Sequence, residues 1–407
     1  MLTLEQALDA VLTQARPLPA CERPLEAAVG SILDEDVAAD IDSPPFDKAL
    51  VDGYAVRTGD LQGPEPRLDI GEVITAGRVP ARPLGLGEAA VVMTGAPIPV
   101  GCDAVVMHEK TRLEDGHVVI EETAVRPAQN LLARGREMTA GSIVLSRGLL
   151  LNPARLGVLA AVGRASVRVV PRPCAAIVPT GDELVEPSEV PGPGQIRNSN
   201  AIMLKASALQ SGADAETWPI APDDEKPLRQ ALEAGLRWDV LMVTGGVSAG
   251  QRDLVPDVLA SLGVQCIFHK VRLKPGKPLW FGVGPPRSNR GGSLVFGLPG
   301  NPVSVLVGFL LFVKPALAAL AGKPEAETPE TARLARGFRH RGDRPTYHPV
   351  KVLRDAANSP ATLLLEPLAW SGSADLCTVA QADGFAAFEA GDREYGPGEI
   401  VGFLPMR

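Results

Sequence analysis

At 407 residues, 45% hydrophobic and 22% charged, the chain has room for two to four domains with full cores and the ordinary balance of a globular protein. A net charge of −8 excludes broad electrostatic steering onto nucleic acid or an anionic membrane, so an anionic ligand has to be held by a local basic cluster. The five cysteines (Cys21, Cys102, Cys174, Cys266, Cys377) form no C-x-x-C and the five histidines no H-x-x-x-H pair. This argues against a disulfide framework and a zinc or iron–sulfur site, fits a reducing, cytoplasmic setting, and leaves oxygen-ligated Mg²⁺ as the expected metal.

In chain order, "MLTLEQALDAVL" reads as an amphipathic helix, with neither the basic region nor the cleavage site of a secretory signal. Helical periodicity is expected over residues 1–40 and is broken by the paired prolines of "DSPPFDKALVDGYAVR" (42–57). Residues 66–125 give short β segments separated by Gly and Pro, a small all-β module. From residue 174 strands and helices alternate. "CAAIVPTGDEL" is a strand; "NSNAIMLKASALQSG" is a helix capped by Asn200 and ended by Gly212. "AETWPIAP" is a strand, "DDEKPLRQALEAG" a helix closed by Gly235, "WDVLMVTGGVSAG" a strand and "RDLVPDVLASLG" a helix. "VQCIFHKVRL" and "GGSLVFGLPGNPVSVLVGFLLFV" complete the series, the apolar stretch 303–313 reading as a buried helix too short to span a bilayer. Such alternation predicts a mainly parallel, doubly wound sheet with ligands at the carboxyl ends of its strands. Beyond the Pro/Glu linker 321–330, "YHPVKVL", "ATLLLEPL", "GFAAFEA" and "EIVGFLPM" predict a β-rich C-terminal domain.

The turn "GLPGNPVS" (297–304) carries the first chemical signal. Asn301 is placed to cap the following helix and Pro302 to occupy its first turn, while Gly297 and Gly300 permit close approach and unusual φ. Pro299 stiffens the turn, and the helix start is expected to present free N–H groups to an anion. The same character recurs in "PTGDEL" (Thr180, Gly181, Asp182, Glu183), "GQIRNSN" (Asn200) and "TGGVSAG" (Gly245, Gly246, Ser248). "KVRLKPGKP" concentrates Lys270, Arg272, Lys274 and Lys277 in an acidic protein, either an ordinary solvated surface or the anion-binding cluster. The neighbouring acids Asp182, Glu183, Asp223, Asp224 and Asp253 serve either as helix caps, Asp223 and Asp253 above all, or as Mg²⁺ ligands beside phosphate.

Together "DGYAVR", "MTGAPIP", "CDAVVMHE", "PTGDELVEP", "GQIRNSN", "TGGVSAGQRD", "KPGKPLWFG" and "GLPGNPVS" resemble, in order, the MoeA / gephyrin E-domain family over the whole chain. The resemblance implies an α/β and β multidomain chain, an elongated four-domain subunit. Residues 1–43 plus 137–168 would form a discontinuous N-terminal domain and 44–136 an inserted β-rich domain. Residues 170–322 would form a MoaB/MogA-like doubly wound α/β domain that binds molybdopterin, and 328–407 a C-terminal β-barrel-like domain. It further implies a molybdopterin molybdenumtransferase that takes molybdate and adenylylated molybdopterin and releases AMP with Mg²⁺. The implied assembly is a homodimer whose active site is shared between subunits. It is served by a MogA/MoaB-type adenylyltransferase upstream and serves molybdoenzymes or their chaperones downstream, with no nucleic acid and no membrane.

Carried over by motif, the active-site positions are Asp52, Thr94, Glu183, Lys270 and Lys274, with Glu183, Asp223 and Asp253 as metal ligands. Thr180, Gly181, Asp182, Asn200, Gly245, Gly246, Ser248, Lys277, Pro299, Gly300, Asn301 and Pro302 form the binding turns. The chain departs from the family's "FDNSAMDGYA" with Lys48 and Val51, and from its "N-[VI]-R-x-x-G-E-D" with Leu132 and Glu137. Leucine cannot mimic an arginine's bidentate anion contact, and Arg134 and Arg136 are the nearby substitutes. Two further readings are a divergent paralogue that binds the pterin as a scaffold with weak catalysis, and an enzyme that inserts tungstate.

Overall fold

The computed structural model describes residues 1–122, 124–247, 254–287, 291–323, 330–354 and 363–406. They divide into two compact units: Met1–Asp34, Gly148–Asn152 and Val167–Arg407 in the first, Glu35–Arg147 and Pro153–Ser166 in the second.

The first unit opens with α1, Leu4–Gln14, started by a capping box between Thr3 and Gln6. The expected helicity to residue 40 stops here, because Pro17 and Pro19 follow and cannot continue a helix. Short strands succeed it: Cys21–Pro24 and Ile32–Leu33 flank Ser166–Val170 in a three-stranded sheet.

The centre of this unit is a six-stranded sheet of β1 (Cys174–Pro179), β2 (Asp214–Thr217), β3 (Val240–Thr244), β4 (Gln265–His269), β5 (Trp280–Val283) and β6 (Leu294–Leu298), in the order β2-β1-β3-β6-β5-β4. The four strands β2, β1, β3 and β6 are parallel, and β5 and β4 add an antiparallel edge. Alternate residues of the central strands enter opposite cores. Ile177, Met242 and Phe296 face one cluster; Val178, Val243 and Val295 face the other. Strand β5 escaped the sequence reading, because "LWFG" follows Pro278 directly and looks like the end of a turn.

Helices α2 (Ser199–Gln210), α3 (Glu225–Gly235) and α4 (Val255–Ser261) connect the strands. After β6 comes α5, one helical run over Pro302–Leu320 with a π segment at Phe309–Val313. It is longer than the apolar stretch 303–313, and by length and composition could cross a bilayer; 72% of its most apolar window is buried inside the protein, as in a core helix. The remainder of the unit includes a closed barrel ordered Glu330–Leu334, Leu363–Pro367, Thr346–Arg354, Gly384–Phe388, Ile400–Pro405, around Val350, Leu365 and Phe388.

The second unit holds a six-stranded sheet ordered Ala104–Met107, Gly53–Val56, Glu88–Val92, Arg67–Ile74, His117–Ile120, Thr111–Glu114, the β module its short apolar segments predict. Gly53 fits because a Cβ there would lie 1.9 Å from the Val106 carbonyl oxygen on the neighbouring strand.

Candidate functional site

The carboxyl ends of β1, β3 and β6 open onto a cavity of about 370 Å³. Thr180 directly follows β1 and is tied to β3: its N–H donates to the Thr244 carbonyl at 2.8 Å and its Oγ1 at 3.3 Å. Gly245 and Gly246 then turn away from β3 with φ of +90° and +61°. A Cβ on Gly245 would sit 2.4 Å from the Thr180 carbonyl oxygen, so two backbones meet there and no side chain fits. Glu183 folds its carboxylate back over Gly181, where an added Cβ would lie 2.3 Å from Oε2. Its carbonyl accepts Ile196 N–H at 2.7 Å, beside a parallel ladder of Leu184–Val185 with Ile196–Arg197. Glu183 is the one carboxylate and Arg197 the one cation among the described residues of the wall.

The turn 299–301 forms the far wall and is clamped from two sides. Asn200 Nδ2 donates to the Gly300 carbonyl at 2.7 Å. Asn301 Nδ2 donates to Ser373 Oγ at 3.0 Å, and the N–H of Val303 donates to the Ser373 carbonyl at 3.0 Å. Pro302 does open the helix, as expected. The expectation that this helix start offers free N–H groups is corrected at its first two positions: proline has none, and Ser373 occupies the next. Asn301 stands at the N-cap with no side-chain bond to the helix, and its carbonyl accepts Val305 N–H at 3.1 Å. Gly297 is required, with a Cβ meeting Val247 Cγ1 at 2.7 Å; Gly300 faces open space and has no left-handed φ.

Two cap assignments shift by one or two residues. The α2 cap is Asn198, which accepts from Ala201 N–H at 3.2 Å, and Asn200 lies inside the helix. The α3 cap is Asp224, accepting from Lys226 N–H at 3.0 Å. Asp223 instead donates its N–H to Asp182 Oδ1 at 3.0 Å.

The cavity wall takes Pro278 from the basic segment, and Lys270, Lys274 and Lys277 are not part of it. Backbone pairing ties that segment to remote parts of the chain. Arg272 N–H donates to the Leu2 carbonyl at 2.9 Å, Lys274 N–H to Pro345 at 2.9 Å, and Tyr347 N–H to the Lys274 carbonyl at 2.8 Å. Burial, with some help from the charge of Lys274, holds His348 below the ordinary histidine value. Ser248 and Asp253 lie outside the described residues. Among the described residues no three His, Cys, Asp or Glu side chains gather as a metal cage.

In the second unit Asp52 Oδ1 accepts from Thr94 N–H at 2.6 Å and from Thr94 Oγ1 at 2.8 Å. These two bonds hold the Asp52 carboxyl below its usual range, and nearby His108 adds to the effect. The His108 ring stands edge-on to Tyr54, centroids 5.0 Å apart. Three of the departures from the family pattern meet in this unit. Leu132 pairs across the strands with Lys48, whose ammonium lies 3.9 Å from Glu137; Glu137 also accepts from Ser43 Oγ at 2.9 Å. Arg134 is committed to Asp42 at 2.7 Å.

Sequence reasoning therefore missed Arg197, Ser373 and His108. Arg197 and His108 lay inside quoted motifs, whereas Ser373 comes from a segment that carries no motif.

Comparison with known proteins follows the same geography. Residues 2–163 match the model of the MoeA N-terminal region (domain I and II), 176–319 the probable molybdopterin binding domain, and 331–406 the MoeA C-terminal region (domain IV). The chain is similar to a molybdopterin molybdenumtransferase of Staphylococcus aureus (strain MRSA252), 32% identical over 99% of this chain and 95% of the relative. One from Staphylococcus epidermidis (strain ATCC 35984) is 32% identical over 98% of this chain and 94% of the relative. Among solved structures it resembles a molybdopterin biosynthesis MoeA protein from Pyrococcus horikosii, with a TM-score of 0.78, 31% identity, and coverage of 100% of this chain and 99% of that one.

Proposed function

The chain belongs to the MoeA family, and from that premise we propose how it acts as a molybdopterin molybdenumtransferase in molybdenum cofactor biosynthesis. The observation that carries the reading is the convergence on one cavity of Thr180, Glu183, Gly245–Gly246 and Pro299–Pro302 from three strand ends. The substrate is adenylylated molybdopterin, the metal donor is molybdate, and AMP leaves when the pyrophosphate is cleaved. The fixed turns hold the substrate in one orientation. Rigid positioning and charge placement supply most of what phosphoryl-type transfer needs.

The donor set suits Mg²⁺. Magnesium takes one or two carboxylates and fills its remaining positions with water and substrate phosphate, so Glu183 alone in the described wall is enough to start a site. When bound, Mg²⁺ neutralises charge on the pyrophosphate. Asp182 holds Asp223 through its backbone and so fixes the turn beside Glu183.

The finer organisation is also part of the proposal: a cytoplasmic homodimer of four-domain subunits, in which Asp52 and Thr94 of one copy serve the cavity of the other. A MogA/MoaB-type adenylyltransferase feeds it. The test is AMP release from adenylylated molybdopterin on adding molybdate and Mg²⁺. Native protein releases AMP; Glu183→Ala, an exposed residue, loses release while keeping its thermal midpoint. No release by the native protein counts against catalysis and returns the scaffold reading. Mixing Asp52→Ala with Glu183→Ala copies restores activity if the site is shared, and leaves it absent if each copy works alone.

A further inference from the structure

The turn after β3 runs Gly245, Gly246, Val247, and all three residues line the cavity. Gly245 is held through its backbone, the N–H donating to the Leu298 carbonyl at 3.2 Å. Gly246, at φ +61°, offers no side chain to grip, so the far end of the turn is fixed at Val247. The Val247 side chain is buried against Gly297, where an added Cβ would meet its Cγ1 at 2.7 Å and Trp280 Cβ at 3.0 Å. Its carbonyl is bonded to the imidazole of His269, Nε2 to oxygen 3.0 Å. A carbonyl oxygen only accepts, so Nε2 carries the hydrogen.

His269 is the last residue of β4, half-buried and opposite Trp280 in the antiparallel pair with β5. The chain leaves the strand immediately after it: Lys270 stands at φ +74°, and its N–H donates to the Leu279 carbonyl at 2.8 Å. One imidazole therefore joins a turn of the cavity wall to the residue from which the basic segment 270–277 sets out.

We infer that His269 is a positioning residue for the ligand of this cavity, fixing the Gly245–Val247 wall through the Val247 carbonyl and keeping it in step with the start of the basic segment. The inference rests on the reading of the cavity as the site of a nucleotide-linked pterin. His269 is not itself in the wall and acts through Val247. Without the ring N–H the carbonyl has to seek another donor, and the glycine before it lets the backbone rotate at little cost. A wall of this kind serves ground state and transition state alike, so its loosening reads out in KM.

Three substitutions separate the bond from the bulk of the ring. His269→Phe keeps a planar ring and removes the donor. His269→Asn has an amide too short to reach, and His269→Gln places an N–H the same number of bonds from the backbone. Native protein and variants are compared in AMP release from adenylylated molybdopterin with molybdate and Mg²⁺, with thermal midpoints alongside. His269→Phe and His269→Asn are expected to raise KM for adenylylated molybdopterin about five- to tenfold with kcat within about twofold, as for one lost hydrogen bond. His269→Gln returns KM to within about twofold of native, and where the Phe ring does not fit, the Asn and Gln pair decides. Amide exchange at Gly245, followed by NMR without ligand, quickens in His269→Phe and His269→Asn and not in His269→Gln.

The role is overturned if the Phe and Asn variants keep the native KM, or if Gln recovers no more than Asn. It is equally overturned if kcat falls tenfold while KM holds, or if KM rises with Gly245 exchange unchanged. A native protein that releases no AMP overturns the reading of the cavity and the role together, whereas native release that none of the substitutions alters overturns the role alone.

Discussion

The turns around the cavity of the first unit and the Asp52 corner of the second are both rich in glycine beside an acid, and both press a glycine onto a neighbouring backbone, yet they hold the acid differently. Around the cavity, Gly245 and Gly297 are pressed against Thr180 and Val247 so closely that no side chain fits, and Asn200 and Ser373 clamp the turn at 299–301. At Asp52, Gly53 is pressed onto the Val106 carbonyl in the same way, and one exposed carboxylate oxygen receives both the N–H and the hydroxyl of Thr94. Packing templates the backbone in both places, whereas the exposed Asp52 side chain is held by directional bonds.

The contrast can be broken most sharply at Gly245. Gly245→Ala forces a Cβ against the Thr180 carbonyl at a left-handed φ, and is expected to cost on the order of 3 kcal/mol in chemical denaturation. Gly300→Ala, facing open space in the same cavity wall, should change stability by less than about 0.5 kcal/mol. Ser373→Ala removes one of the two bonds by which the C-terminal segment holds the turn, and should cost about 1 kcal/mol while Val303 remains bonded to the carbonyl.

In the second unit the expected readout is a titration. Thr94→Val removes the hydroxyl bond, so the Asp52 value, followed by NMR, rises part of the way to the ordinary aspartate range. The sign follows from the depressed carboxyl: the Asp52–Thr94 contact contributes above an ordinary aspartate pKa of about 3.9 and is lost as pH falls through the lower folded value. The smallest effect concerns Lys48 and Glu137. Their exposed pair should couple by about 0.2–0.5 kcal/mol in a double-mutant cycle, and reversing both charges should largely preserve it.

The alternation of strands and helices from residue 174, and the turns that end β1, β3 and β6, were legible because a parallel sheet writes them as apolar runs followed by Gly-rich corners. In the basic run at 270–277 the sequence reports charge and conceals backbone pairing. Leu2 and Pro345, distant in the chain, pair with the backbone of that segment. Ser373 was invisible for the same reason, since its role depends on where a remote loop comes to rest. Arg197 was legible in type and was passed over because a single arginine carries less weight than four clustered cations. The exchange of caps between Asn200 and Asn198, or Asp223 and Asp224, reflects a choice among adjacent equivalent residues that only backbone geometry decides.

The position of α1 has a consequence for the order in which the chain assembles. Ala7 and Val11 share one core with Phe312, Val313 and Leu320, and Leu18 N–H bonds the Leu320 carbonyl at 2.8 Å. An isolated helix of 11 residues is marginal in water, so this segment gains its partners only after residue 320 has been synthesised. The first part of the chain to leave the ribosome is therefore among the last to settle, and a nascent chain stalled before residue 302 should expose α1 to protease.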